Sequence, residues 1–143
     1  MTRVLLATPN LSTCHDLIKQ LHSNFDFKVA KDVATAVKNM DSVGALVLNP
    51  FLPLGDISSE LKDKAIKLSK NYQAIPGLSS FYANGIVALE EAVRREIPLI
   101  SVVLQRELPE RFKGAILQYP NVLLYTPSSG EIKQIPLDIA NYL

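Results

Sequence analysis

The chain has 143 residues, of which 48% are hydrophobic and 20% are charged. This length and composition suit one globular domain without disulfides or a structural metal, and they exclude a wholly disordered chain. Fifteen Lys and Arg against fourteen Asp and Glu give a formal net charge of +1, which disfavours binding to nucleic acid or to an anionic membrane.

The cysteine content and the first residues both indicate the cytoplasm. Cys14 is the sole cysteine and has no partner for an internal disulfide, which fits a reducing compartment. No apolar signal segment precedes the first strand-like run, and no window approaches the ~20 apolar residues of a membrane helix. We therefore expect a cytoplasmic domain spanning residues 1–143, with neither nucleic acid nor membrane as a partner.

Strands and amphipathic helices alternate in the first third of the chain. The helices have apolar residues at helical spacing, and Asp32 is placed to cap the second of them. The first and third strands are uniformly apolar, as in parallel strands covered on both faces. The predicted strands are residues 4–7, 27–30 and 45–48.

Residues 54–83 are ambiguous. Asp56 is placed to cap a helix, and the pattern leaves open whether residues 72–75 form a strand. Asn84-Gly85 then predicts the start of a helix with an inward stripe formed by residues 88, 89, 92 and 93. Glu90 and Glu91 fall on its polar side.

The last third repeats the alternation. Residues 99–104 and 122–125 are two further buried strands, and Pro109 suits the first turn of the helix between them. A final amphipathic segment follows, which Pro136 is expected to kink or interrupt. Strands separated by helices predict a mostly parallel sheet with helices on both faces and a site at the carboxyl ends of the strands.

The residues at these strand ends carry no charge. A magnesium site needs carboxylate oxygens, and an acyl phosphate needs an aspartate, so we expect neither a metal site nor a cofactor here. The strand-end residues are Thr8, Pro9, Asn10, Asn49, Val103–Gln105, Thr126, Ser128 and Ser129.

Four segments resemble response-regulator receiver domains: FKVAKDVATAVKNM, ALVLNPFLPLG, IPLISVVL and VLLYTPSSGEI. The resemblance implies a flavodoxin-like, three-layer α/β/α sandwich with a five-stranded parallel sheet in the order 2-1-3-4-5. Residues 54–83 would be extra structure after the third strand.

The same resemblance places Asn49 at the phosphoacceptor aspartate and Thr8 and Pro9 at the paired acidic residues. Thr126 falls at the position of the family's lysine, and Val103 lies near its switch hydroxyl. The resemblance therefore implies a receiver-like module in signal transduction that cannot be phosphorylated and acts by binding protein. The partner is not identified, and pairing through the helices beside the last strands would give a homodimer.

A second resemblance, carried by RVLLATP, VLNP, IPGLSSFYANGIVALEEA and IPLI, is to nucleoside 2-deoxyribosyltransferase-like enzymes. It implies cleavage of a nucleoside or nucleotide N-glycosidic bond, with Glu90 or Glu91 as the nucleophile. The register is shifted, because the family's glutamate falls on Ala88. We therefore expect both glutamates to face solvent, which favours an interaction module over an enzyme.

A glycine- and serine-containing loop is the remaining candidate site. Its backbone donors would suit the phosphate or ribose of a ligand, although a loop that only connects two elements needs none. The candidate ligand-loop residues are Gly77, Ser79, Ser80 and Asn84.

Overall fold

Eleven helices and strands make up the part of the chain that the computed structural model describes, which is residues 2–9, 15–72, 80–104, 110–125 and 134–142. The strands are β1 (Arg3–Ala7), β2 (Asp26–Ala30), β3 (Ala45–Leu48), β4 (Leu99–Val103) and β5 (Val122–Tyr125). The helices are α1 (His15–Asn24), α2 (Val33–Lys38), α3 (Ser59–Tyr72), α4 (Ser80–Arg94), α5 (Glu110–Leu117) and α6 (Ile135–Tyr142).

The strands form one parallel sheet in the order β2-β1-β3-β4-β5, as predicted. Alternate residues of each strand point to opposite faces and build two cores. Leu46 and Ile100 belong to the larger core, with α2 and α4. Val47 and Leu99 belong to the smaller core, with α1 and α6. The result is the predicted three-layer α/β/α sandwich.

Two consecutive helices, α3 and α4, connect β3 to β4. α3 packs against α4 and contributes Ala65 to the larger core. The prediction that Asp56 caps this helix is wrong, because the Ser58 hydroxyl accepts the backbone N–H of Leu61 at 3.3 Å. Tyr72 ends α3, so it is not the start of a strand, and residues 73–75 lie outside the described part of the chain.

The predicted start of α4 at Asn84-Gly85 is also wrong, since the helix begins at Ser80. Gly85 lies inside α4 because the helix crosses the chain there: a Cβ at this position would lie 2.0 Å from the carbonyl oxygen of Pro50. Glycine is required here for this close approach, and it does not mark the start of the helix.

The last elements depart from prediction in two further ways. β5 lies at the sheet edge, and its Leu123 is 36% exposed, so this strand is not buried on both faces. Pro136 does not kink α6, because the helix begins at Ile135 and the first turn does not use the N–H that proline lacks. Among the described helices, none has the length and apolar character needed to cross a membrane.

Candidate functional site

Thr8 and Asn49 come together at the carboxyl edge of the sheet. Ala7 and Leu48 are paired across β1 and β3, so the residue after each strand lies at the same level. The backbone N–H of Asn49 donates to the Ala7 carbonyl at 2.8 Å, and that of Thr8 donates to the Ala30 carbonyl at 3.0 Å. Both residues are buried, so the structure places them where the strand-end site was predicted.

The Asn49 side chain organises the turn after β3. Its Oδ1 accepts the backbone N–H of Phe51 at 2.9 Å, which is the local bond by which asparagine stabilises turns. The side-chain oxygen therefore has a structural partner inside its own loop. Pro9 is half-buried beside this edge, and Val103 is buried at the end of β4.

The rest of this loop is fixed to the start of α2. Backbone N–H groups of Val33 and Ala34 donate to the carbonyls of Pro53 and Leu54 at 2.9 and 3.0 Å. The carboxylate of Asp32 accepts the next N–H of the helix, that of Thr35, at 2.7 Å, so the predicted cap is confirmed. These bonds use the donors with which a helix N-terminus could otherwise bind an anion.

Part of the predicted site lies outside the described residues. Thr126, Gly77 and Ser79 fall there, and Ser80 is placed only as the first residue of α4. Asn84 is half-buried within α4 and not at its start. The candidate ligand loop is therefore not tested by this structure.

The expectation that both glutamates of α4 face solvent is wrong for Glu91. Its side chain is only 7% exposed, because α3 covers the helix face that the sequence pattern assigned to water. Glu90 is half-buried, and its Oε1 accepts the hydroxyl of Tyr119 at 3.2 Å. The apolar stripe predicted the wrong exposure for Glu91, because a single stripe assumes that a helix is covered on one face only. α4 is covered by the sheet on one side and by α2 and α3 on others.

Glu91 is the centre of an ion cluster. Arg94 donates to its two carboxylate oxygens, from Nη2 at 2.7 Å and from Nε at 3.4 Å. Arg95 Nε lies 3.6 Å and Lys64 Nζ lies 3.8 Å from the same carboxylate. The hydrogen bond from Arg94 lowers the pKa of Glu91 against the opposing effect of burial, and the neighbouring positive charges lower it further. Glu91 is thus an ionised counter-ion.

This cluster lines a cleft of about 430 Å³ between α2, α3 and α4. The cleft is distant from the strand-end residues: Gly85 touches Pro50 at the carboxyl edge, and Glu91 follows six residues later, roughly 9 Å along the helix. A nucleophilic glutamate would have to enter a pocket bordered by Pro9 and Asn49. The structure places Glu91 in a different cleft, so the deoxyribosyltransferase-like geometry is not supported.

Exposed apolar side chains on the last three elements were not predicted. Of the six large hydrophobic residues exposed in the described part of the chain, four lie on α5, β5 and α6. The unbroken apolar run of β5 gave no signal of exposure, because edge position depends on the strand order. The four residues, here called the β5 surface, are Leu117, Leu123, Leu137 and Tyr142.

Comparison with solved structures gives receiver domains at low sequence identity. The receiver domain of a Francisella response regulator is 14% identical with a TM-score of 0.59, and the match covers 99% of this chain and 96% of that chain. The non-phosphorylated HemR receiver domain from Leptospira biflexa is 19% identical with a TM-score of 0.59, covering 96% and 92%. A response regulator receiver domain from Clostridium thermocellum is 11% identical with a TM-score of 0.61, covering 99% and 94%.

These similarities establish the flavodoxin-like fold of receiver domains for this chain. No family model matches the sequence, and no curated protein matches it. Within the described residues, no group of three His, Cys, Asp or Glu side chains is arranged to hold a metal ion.

Proposed function

We propose that residues 1–143 form one cytoplasmic, receiver-like protein-interaction module of signal transduction that does not accept phosphate. The observation that carries this proposal is the side chain at the end of β3. Asn49 stands where the resemblance places the phosphoacceptor aspartate, and its oxygen is bonded to the Phe51 N–H. An amide cannot form the acyl phosphate that an aspartate forms in receivers.

The neighbouring strand end supports the same proposal. Receivers bind magnesium through acidic residues after the first strand, and Thr8 and Pro9 stand there in this chain. Neither supplies the carboxylate oxygen that magnesium requires from a protein. Without the ion, the charge that builds up during phosphoryl transfer would have no counter-charge at this edge.

A protein-binding role is supported by the β5 surface, the exposed apolar side chains of α5, β5 and α6. We take these side chains as one interaction surface around the edge strand, since exposed apolar patches commonly mark such sites. Receivers resemble this chain in fold and pair through the helices beside their last strands. We therefore propose a second copy of the chain as the partner.

The first test is phosphorylation by a small-molecule donor. The protein is incubated with acetyl phosphate and Mg²⁺ and its intact mass is measured, with an authentic receiver domain in a parallel reaction as the positive control. We expect the mass of this chain to stay unchanged while the control gains one phosphoryl group. A gain of one phosphoryl group at any aspartate of this chain would refute the proposal.

A further inference from the structure

The cleft between α2, α3 and α4 lies at the end of the molecule away from the strand-end site. α4 ends at Arg94 and β4 begins at Leu99, so the end of α4 is close to the amino edge of the sheet. The first turns of α3 complete the cleft. Its charged lining is formed by Glu60, Lys64, Glu91, Arg94 and Arg95.

Three cations of the cleft surround one buried carboxylate. Glu91 accepts two bonds from Arg94, and Lys64 and Arg95 lie within 4 Å of its carboxylate. Arg95 is held further by the Val37 carbonyl, to which its Nη1 donates at 2.9 Å. Around Glu91, three cations therefore face a single buried carboxylate.

Unused donors remain on two of these cations. The 3.8 Å between Lys64 Nζ and Glu91 Oε1 is too long for a hydrogen bond, so the ammonium has no bonded acceptor among the described residues. Arg94 uses Nε and Nη2 for Glu91, and its Nη1 has no acceptor in the described part of the chain. Lys64 and Arg94 are 41% and 63% exposed, so a molecule in the cleft can reach both.

The other carboxylates around the cleft are exposed. Asp41 bonds to Arg95 at 3.2 Å but is itself 88% exposed, and Glu60 at the start of α3 is exposed. Exposed ion pairs contribute about 0–1 kcal/mol, so a bound anion displaces them at little cost. The lining has three cations against the carboxylates of Glu60 and Glu91, so a net charge of +1 remains to attract an anion.

We propose that this cleft binds the phosphate group of a small phosphorylated molecule, with Lys64 and Arg94 as its ligands. A phosphate monoester carries about −1.5 to −2 charges at neutral pH and offers oxygens to several donors. The cleft volume of about 430 Å³ leaves room for a body larger than the phosphate itself. This site is separate from the strand-end residues and involves no covalent step.

The test uses amide chemical shifts of the whole chain titrated with inorganic phosphate and with ribose 5-phosphate. Sodium chloride at matched ionic strength controls for screening. We expect saturable shifts in residues 58–64 and 91–95 with both phosphate probes. Shifts no larger than those caused by sodium chloride would overturn the proposal.

Variants locate the binding. Lys64→Gln and Arg94→Gln should each weaken phosphate binding by about tenfold or more, since each loses a charge-assisted bond. Lys67→Gln lies one turn further along α3, at an exposed position that does not line the cleft, and should leave binding unchanged. Equal losses in Lys64→Gln and Lys67→Gln would contradict a defined site.

A gain of affinity separates binding from a structural effect. Glu60→Gln removes an exposed carboxylate from the lining and should strengthen phosphate binding, because the repulsion of the anion is lost. A variant that only disturbed the fold would weaken it. An unchanged or reduced affinity in Glu60→Gln would count against the proposal. The result is independent of the phosphorylation test described above.

Discussion

Glu91 shows how a charged side chain is accommodated beneath a helix. Removing a carboxylate from water costs several kcal/mol unless charges and hydrogen bonds replace the water. Arg94 supplies two hydrogen bonds, and Arg95 and Lys64 add positive charge. Arg94 itself stays 63% exposed, so the carboxylate is the group that loses most of its water. The cluster therefore links α3 to α4 with a single buried ion.

The first prediction is that Glu91→Gln removes acid-sensitive stability. The pKa of Glu91 is lowered in the folded protein, so its contribution is present above the ordinary value of about 4.5 and is lost as pH falls through the folded-state pKa. At pH 7 we expect the free energy of unfolding of the variant to be about 2 kcal/mol lower than that of the wild type. The two stability curves should converge on acidification.

Urea denaturation at a series of pH values measures this difference. Glu60→Gln, at an exposed position in the same cleft, controls for the loss of one carboxylate. Parallel curves for Glu91→Gln and the wild type between pH 7 and the acid limit would contradict the role of the ionised carboxylate.

The second prediction concerns Ser101, whose side chain lies in the middle of β4 and is fully buried. Its Oγ has no hydrogen-bond partner among the described residues. A buried hydroxyl without a partner costs about 1–3 kcal/mol, so Ser101→Ala should leave the free energy of unfolding unchanged or raise it by about 1 kcal/mol.

Ser58→Ala is the matched control for that substitution. The Ser58 hydroxyl accepts the Leu61 N–H at the start of α3, so its removal should cost about 1 kcal/mol. Both free energies come from the same urea titration. A loss in Ser101→Ala as large as that in Ser58→Ala would indicate that the Ser101 hydroxyl is bonded.

At the scale of the elements, α4 is positioned by backbone contact as well as by its apolar side chains. A Cβ on Gly85 would lie 2.0 Å from Pro50 O and 2.3 Å from Pro50 Cα, and backbone atoms cannot move aside as a flexible side chain can. The turn that Asn49 stabilises is therefore the surface on which α4 rests. The conformation after β3 and the placement of α4 depend on each other.

The third prediction follows from this contact. Gly85→Ala should destabilise the protein by about 3 kcal/mol or more, because α4 has to move off the turn. Gly114→Ala, also inside a helix, meets nothing within 4 Å and should raise stability by about 0.5–1 kcal/mol through the better helix propensity of alanine. Thermal unfolding of both variants checks the opposite signs. A tolerated Gly85→Ala would contradict the close approach.

The sequence predicted those elements whose signals are local. The unbroken apolar run of β3 and the cap at Asp32 depend on neighbours in the chain, and both are confirmed. The glycine at position 85 and the burial of Glu91 depend on contacts with Pro50 and with α3, and the periodicity of α4 alone does not reveal such contacts. At the site, Thr8 and Asn49 could be predicted because parallel strands end at one edge.

At the scale of the whole molecule, the two edges of the sheet differ. β2 carries exposed Asp26 and Lys28, and Asp26 pairs with Arg3 at 3.2 Å. Charges of this kind discourage an edge strand from pairing with another chain. β5 contains no charged residue, and its Leu123 is 36% exposed. The β5 side therefore offers the less protected surface for association.

The last prediction is that the protein is a homodimer through the β5 surface. Leu137 is 57% exposed on α6, and a charge placed there would be buried without a partner in the dimer, so Leu137→Glu should shift the mass measured by light scattering to that of a monomer. Ile66 is 48% exposed on α3, which lies between β3 and β4 and is not part of the β5 surface. Ile66→Glu should therefore leave the dimer intact. A wild-type protein that stays monomeric across micromolar concentrations would contradict self-association and leave an unlike protein as the partner of this surface. Dissociation by Ile66→Glu alone would instead place the contact on α3.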